Sequence, residues 1–261
     1  NSKGLVVGTA WKDEDTPQAI SWKDGKLKRL PLPKGASSSA SFASGVNEKG
    51  LMVGSSIEGE SEGVNGFITD GSKVTKLSAP KSGPALAMGI SDTDTVIGFG
   101  IPFDTEEFRV KTLRWDSKGV TAFPSPELYN ANFAFAISRD GKQIVGTMMR
   151  MEEEAQKSLL KSKRYTNAFI AHWKTGFSNG DDGLGPDLTG GAVFPNYLYR
   201  SDTENPHAFI VRGGRLVDLN TLIPAGSGWE LIFATGVNDK GQVVGMGLHE
   251  NRLRAFLLSP Q

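Results

Sequence analysis

The side chains best suited to chemistry in this chain are oxygen donors gathered in short polar stretches. In Ser178-Asn-Gly-Asp-Asp-Gly-Leu-Gly-Pro-Asp187, the carboxylates of Asp181, Asp182 and Asp187 are candidate ligands for Ca²⁺, a hard cation that takes oxygen donors. The run lacks the Asp-x-Asp-x-Asp-Gly spacing of an EF-hand loop, so a connecting segment is the plainer reading. Further acids stand at Asp13-Glu14-Asp15, at Glu58, Glu60 and Glu62, and at Asp104, Glu106 and Glu107. Others stand at Glu152-Glu153-Glu154, at Asp202 and Glu204, and at Glu250. Such acids attract Ca²⁺, a cationic ligand or a basic protein surface; the plainer reading is that they keep exposed loops soluble. Two of them about 5–9.5 Å apart, one with a raised pKa, would form the carboxylate pair of a glycosidase. His172, His207 and His249 fall at different places in the pattern below, which argues against a shared metal site and for a structural His207. His249 with Glu250 and Arg252 is a candidate binding trio. Trp11, Phe103, Tyr129, Tyr197, Tyr199 and Trp229 lie in polar stretches, where aromatic rings stack on sugars or anchor protein partners.

The chain has no Gly-x-Ser-x-Gly elbow, phosphate loop, dinucleotide fingerprint or His-Glu-x-x-His. Its 29 basic and 29 acidic residues cancel, which removes the global positive field of a nucleic-acid or anionic-membrane binder. No apolar run is long enough to span a bilayer as a helix. The absence of cysteine excludes disulfide scaffolding, thiol catalysis and thiolate metal sites. Glycine, at 32 of 261 residues, is in excess but regularly spaced.

That spacing is a repeat. One phrase, apolar-(Asn/Ser)-polar turn-apolar-apolar-Gly, ends at Gly8, Gly54, Gly98, Gly146 and Gly245, at intervals of 46, 44, 48 and 99 residues. The last interval is two periods, which predicts one decayed copy near 189–198. A second phrase follows each copy: Ala19-Ile-Ser-Trp22, Gly66-Phe-Ile-Thr69, Thr112-Leu-Arg-Trp115, Ala168-Phe-Ile-Ala171, Ala208-Phe-Ile-Val211 and Ala255-Phe-Leu-Leu258. Short polar turns then lead to a further apolar segment. Each unit therefore reads as four short strands, here a, b, c and d, joined by hairpin chemistry. Four-stranded units every ~45 residues predict an all-β protein, a β-propeller of six blades, or five plus extra strands. A β-sandwich or an open β-array is the rival. Residues 1–261 form a single domain in this reading. Acids early and bases late in 151–165 predict a short helical insertion there. Trp22, Trp115 and Trp173 end c strands and are expected to pack between blades. The first unit lacks strand a and the last lacks strand d.

The phrases resemble the HAF repeat of bacterial extracellular proteins, named for its His-Ala-Phe triplet. The triplet stands at His207-Ala208-Phe209, and Leu216-Val-Asp-Leu-Asn220 and Gly236–Gly245 are similar to that family. The resemblance is strongest over 205–260. It implies a secreted, surface or periplasmic bacterial repeat protein and carries over no catalytic residue.

Antiparallel succession puts the tight a–b and c–d turns at one end and the longer, variable b–c and d–a connections at the other. Binding residues are expected on that second end, with Glu60, Glu106, Tyr199, Arg200, Asp202, Glu250 and Arg252 as candidates. The expected function is a non-catalytic binding module for a protein or carbohydrate ligand. A carbohydrate-active hydrolase or lyase and a purely structural repeat are the alternatives. No cofactor is expected beyond the Ca²⁺ already raised, and the chain is expected to be a monomer.

Overall fold

Val, Ile, Phe and Ala alternate with polar residues between glycine turns, and strands form wherever this pattern runs. The computed structural model describes residues 1–11, 17–58, 62–102, 109–151 and 203–260. Among them there are two short 3-10 turns and no α-helix, and the strands make five antiparallel sheets, each a simple meander. Sheet I holds β1 (Val6–Trp11), β2 (Pro17–Lys23) and β3 (Lys26–Arg29). Sheet II holds β4 (Ala36–Val46), β5 (Met52–Glu58), β6 (Glu62–Thr69) and β7 (Val74–Leu77). Sheet III holds β8 (Ala85–Ile90), β9 (Val96–Gly100), β10 (Lys111–Asp116) and β11 (Gly119–Ala122). Sheet IV holds β12 (Ala131–Ile137), β13 (Ile144–Met151), β14 (Thr203–Arg212) and β15 (Arg215–Asp218). Sheet V holds β16 (Trp229–Val237), β17 (Val243–His249) and β18 (Arg252–Leu258). The arrangement is all-β and propeller-like. Strands β4, β8, β12 and β16, the a strands, touch in succession.

Sheet IV departs from the unit-by-unit reading. Its a and b strands come from one copy of the repeat, but β13 pairs directly with β14, so its c and d strands come from the next. The two-period interval before Gly245 is thus bridged by one sheet whose halves flank 152–202. The Ala168–Ala171 phrase, the decayed copy and almost all of the expected 151–165 insertion lie outside the described residues; Met151 itself ends β13.

The closing glycine has a steric cause in four of the five phrases. Every a strand carries a register shift at the same place, between Ala43 and Gly45, Ala87 and Gly89, Ala134 and Ala136, and Ala234 and Gly236. Just ahead of each shift, one backbone carbonyl closely approaches strand b. A Cβ on Gly54, Gly98, Gly146 or Gly245 would collide with the carbonyl oxygen of Phe42, Leu86, Phe133 or Phe233, respectively. Gly8 has no a strand opposite it, and a Cβ there would meet nothing within 4 Å.

Apolar cores fill the seams between successive sheets. Val53, Leu77, Ala87, Val96, Leu113 and Trp115 pack between sheets II and III, and Val145, Ile210, Leu231, Val243 and Phe256 between IV and V. Polar side chains buried at the seams bond to the neighbouring backbone. Ser41 accepts from the Ala19 amide at 3.0 Å, Asn132 accepts from the Thr112 amide at 2.6 Å, and Thr147 donates to the Ile232 carbonyl at 2.8 Å. Trp115 is buried, its indole N–H donating to the Ser78 carbonyl at 2.9 Å. Trp22, at the matching position, is instead 43 % exposed, because it stands on the outer face of sheet I. Trp173 lies outside the described residues.

Gly146→Ala is expected to destabilise the protein by about 1–3 kcal/mol or more, as overpacking against backbone does. Gly8→Ala should stay within about 0.5 kcal/mol of wild type. Chemical denaturation of the two variants side by side checks the pair.

Candidate functional site

The two ends of the sheets use their polar groups differently. At the a–b end, the repeated Asn or Ser clasps its own hairpin. Asn47 Oδ1 accepts from the Lys49 and Leu51 amides, Asn238 Oδ1 from Lys240 and Gln242, and Ser91 and Ser138 hydroxyls from Thr95 and Gln143. The turn then needs a left-handed residue, which is Gly50, Gly141 or Gly241, with Asp94 (φ 65°) filling the same place in sheet III. The clasp leaves a turn amide, the next one in sheets I to III and the one after it in sheet IV, pointing at the following sheet. Ser2 N–H donates to the Glu48 carboxylate, Glu48 N–H to Asp92 Oδ1 at 2.9 Å, Asp92 N–H to the Arg139 carbonyl at 2.8 Å, and Asp140 N–H to Asp239 Oδ1 at 2.9 Å. Asn1 and Asn47 add side-chain bonds to the Asn47 and Ser91 carbonyls. Hydrogen bonds from Ser2 hold the Glu48 carboxyl below its ordinary range, and the Ser138 hydroxyl with the Lys142 amide brings Asp140 down to about 2.

At the opposite end, the titratable cluster is Tyr129, His207 and Asp218. The Gly213-Gly214 turn sets the β14–β15 register, with Phe209 opposite Asp218, so Asp218 is a diagonal neighbour of His207. His207 Nδ1–H donates to Asp218 Oδ2 at 2.6 Å. The Tyr129 hydroxyl, from the connection ahead of β12, donates to the same oxygen at 3.3 Å and lies 2.8 Å from Nδ1. Hydrogen bonding to Asp218 raises the His207 pKa against the opposing effect of burial. Burial pulls the Asp218 carboxyl upward, but bonds from His207 and the Asn220 amide outweigh it and the carboxyl stays below its ordinary value. Burial and the Asp218 charge push the Tyr129 phenol upward, so it remains a donor. Asn220 carries the cluster to the next sheet: its side-chain amide donates to the Leu231 carbonyl at 2.9 Å and accepts from the Leu231 N–H at 2.7 Å. This orients the imidazole as the Asp of a catalytic triad does; the His207–Asp218 bond lies within sheet IV, and of these contacts only the Asn220–Leu231 bonds cross the seam to sheet V.

On sheet V the same end carries a second group. Trp229 and His249 are cross-strand partners whose rings lie 4.8 Å apart at 33°. The connection between β17 and β18 is the two-residue turn Glu250-Asn251, both with positive φ (51° and 59°), so this b–c connection is tight where a longer loop was expected. The Glu250 N–H donates to the Gly228 carbonyl at 3.1 Å.

Of the residues expected in the site, Glu250 and Arg252 are described and exposed on this hairpin. Glu60, Glu106, Tyr199, Arg200 and Asp202 lie outside the described residues, as do Asp181, Asp182 and Asp187. Among the described residues, no three His, Asp or Glu gather as a metal site. Sequence reasoning treated His207 and Asp218 separately; the signal that joins them is the hairpin register counted back from Gly213-Gly214.

No family model matches the chain, and no curated protein does. Among solved structures it is similar to TolB from Acinetobacter baumannii at 13 % identity and TM-score 0.45, over 98 % of this chain and 49 % of that one. It is similar to XC5397, a gluconolactonase from Xanthomonas campestris, at 13 % identity and TM-score 0.40, over 99 % of this chain and 73 % of that one. A prolyl endopeptidase is similar at 12 % identity and TM-score 0.41, over 98 % of this chain and 40 % of that one. The chain thus spans about half the length of TolB and less of the endopeptidase. At such scores these similarities assign no activity or ligand.

The His207–Asp218 bond makes stability depend on pH in a set direction. His207 has a folded pKa above its reference of 6.5, so its contribution is complete below that value and is lost as pH rises through the raised pKa. Asp218 lies below 3.8, so its contribution is complete above that value and lost as pH falls through the lowered pKa. The stability gap between wild type and His207→Gln should reach about 1.5–3 kcal/mol between those limits and shrink on the alkaline side. Urea denaturation from acid to pH 9 checks this; a gap that does not change with pH would contradict it.

Proposed function

We propose that this chain is a propeller-type, non-catalytic binding module that takes a protein or carbohydrate ligand on the end where the b–c and d–a connections emerge. The observation that carries the reading is Glu250. It is held in the left-handed region at a turn where glycine or asparagine would fit without strain, and backbone strain of this kind gathers at functional sites. Its neighbours in the hairpin are His249, stacked on Trp229, and the exposed Arg252. An aromatic platform beside an acid and a base suits a sugar or a polar peptide surface. The contrasting use of the a–b end supports the same side: there the turn amides and carboxylates are taken up in joining sheets. The resemblance to HAF repeats supports work outside the cytoplasm, in secreted, surface or periplasmic form, and the spacing of the repeat supports six blades.

Glu250→Gly separates binding from folding. It relieves a left-handed residue and is expected to leave stability equal or up to about 1–2 kcal/mol higher. For a ligand taken from glycan and basic-peptide arrays, it should weaken affinity at least tenfold, about 1.4 kcal/mol, as should Trp229→Ala. Lys49→Ala, at the other end, should leave affinity unchanged. Equal affinity for wild type and Glu250→Gly would overturn the assignment.

A further inference from the structure

The two terminal sheets each present one face whose apolar side chains stand open. On sheet I, Val6, Trp22 and Leu27 are 53 %, 43 % and 58 % exposed and form one row, Val6 pairing with Trp22 and Trp22 with Leu27. On sheet V, Val244, Leu253 and Leu257 are 45 %, 48 % and 63 % exposed on one face, Val244 pairing with Leu257. Six of the ten exposed large apolar side chains among the described residues lie on these two faces, a concentration that marks an interaction surface rather than scatter.

Their positions in the repeat identify what they fit. Immediately before the closing glycine, Val244 stands where Val53 stands in sheet II and Val145 in sheet IV. Two residues before it, Val6 stands where Val96 stands in sheet III and Val243 in sheet V. Inside the fold these two positions meet: Val53 shares a core with Val96, and Val145 with Val243. Their cross-strand partners repeat the match. Ile68 and Ile210 occupy the place of Leu257, Trp115 and Leu258 the place of Trp22, and they belong to the same two cores. The free faces of sheets V and I are therefore the two complementary halves of a seam the chain already builds internally. The hydrogen bonds along the a–b end stop at the same place: the Asp239 amide has no partner among the described residues, while Ser2 holds the equivalent position at the start of the series.

We propose that the chain associates head to tail, the free face of sheet V packing on the free face of sheet I of a second copy. The monomer expected from the sequence is the alternative that the experiment below separates from this. Such contact is heterologous, so every added copy leaves one face of each kind unfilled and assembly runs to rings or filaments rather than to a two-fold dimer.

Sedimentation velocity of the full chain, from low to high micromolar concentration, is expected to show species larger than a monomer that grow with concentration. Trp22→Glu and Leu257→Glu each spoil one face; both side chains are exposed, so the thermal midpoint serves as the check on folding. Each variant alone should be monomeric. An equimolar mixture should give a dimer and nothing larger, because each variant keeps the face the other lacks. The chain has no cysteine, so Val6→Cys mixed with Val244→Cys reports contact through a short bismaleimide, with cross-links expected between chains. A wild-type monomer at every concentration overturns the proposal. So does a Val6→Cys/Val244→Cys double variant that cross-links only within one chain, which would mean that the two faces close on each other.

Discussion

A hairpin clasped by its own Asn or Ser leaves a turn amide free to point at the following sheet, and in sheets I to IV that sheet partners it. These bonds tie each of these sheets to the next at the a–b end, those of Ser2 and Asp140 in exposed positions. Ser2, Glu48, Asp92 and Asp140 each pass their amide forward, from sheet I through to sheet V. The acceptors are side chains in three cases and a carbonyl in one. Arg139 has no side-chain acceptor, so there the backbone takes the role. A bulge in each a strand accompanies this link, and the carbonyl just ahead of it leaves no room for a Cβ on the closing glycine of strand b.

The link also separates two kinds of surface. At the a–b end the sequence is constrained by its neighbours, so the turns stay short and alike. At the other end the sheets are joined by fewer shared devices, and different residues stand at matching places. The position of His207 holds Gln18, Asn65 and Lys111 in sheets I to III, and that of Asp218 holds Arg29, Lys76 and Ala122. A His–Asp pair can form in sheet IV and in none of these three. The His-Ala-Phe triplet and the Asp of Leu216–Asn220 thus work together, one holding the other while Asn220 holds the next sheet.

The strand pattern was legible because its causes are local: alternation, turn glycines and the recurring Asn or Ser all lie within one hairpin. The four-stranded sheets and the partition into two ends followed from them. The origin of sheet IV was not legible, since Ala168-Phe-Ile-Ala171 and Ala208-Phe-Ile-Val211 carry the same phrase and composition does not choose between partners for β13. Trp22 read as packed because its phrase matches that of Trp115, while burial depends on which sheet stands opposite. Glu250 and Arg252 were picked from charge within an assumed long loop; the tight turn that gives them their geometry was hidden because neither Glu250 nor Asn251 is the glycine usual at such a turn.

Amide hydrogen exchange at the a–b turns tests the sheet-to-sheet link most directly. The Glu48, Asp92 and Asp140 amides lie in turns, where exchange is ordinarily fast. The account predicts protection close to that of amides in the a strands, such as Ala87 and Ala134, because opening any of these bonds requires two sheets to part. Exchange at the rate of an exposed turn at all three positions would contradict it.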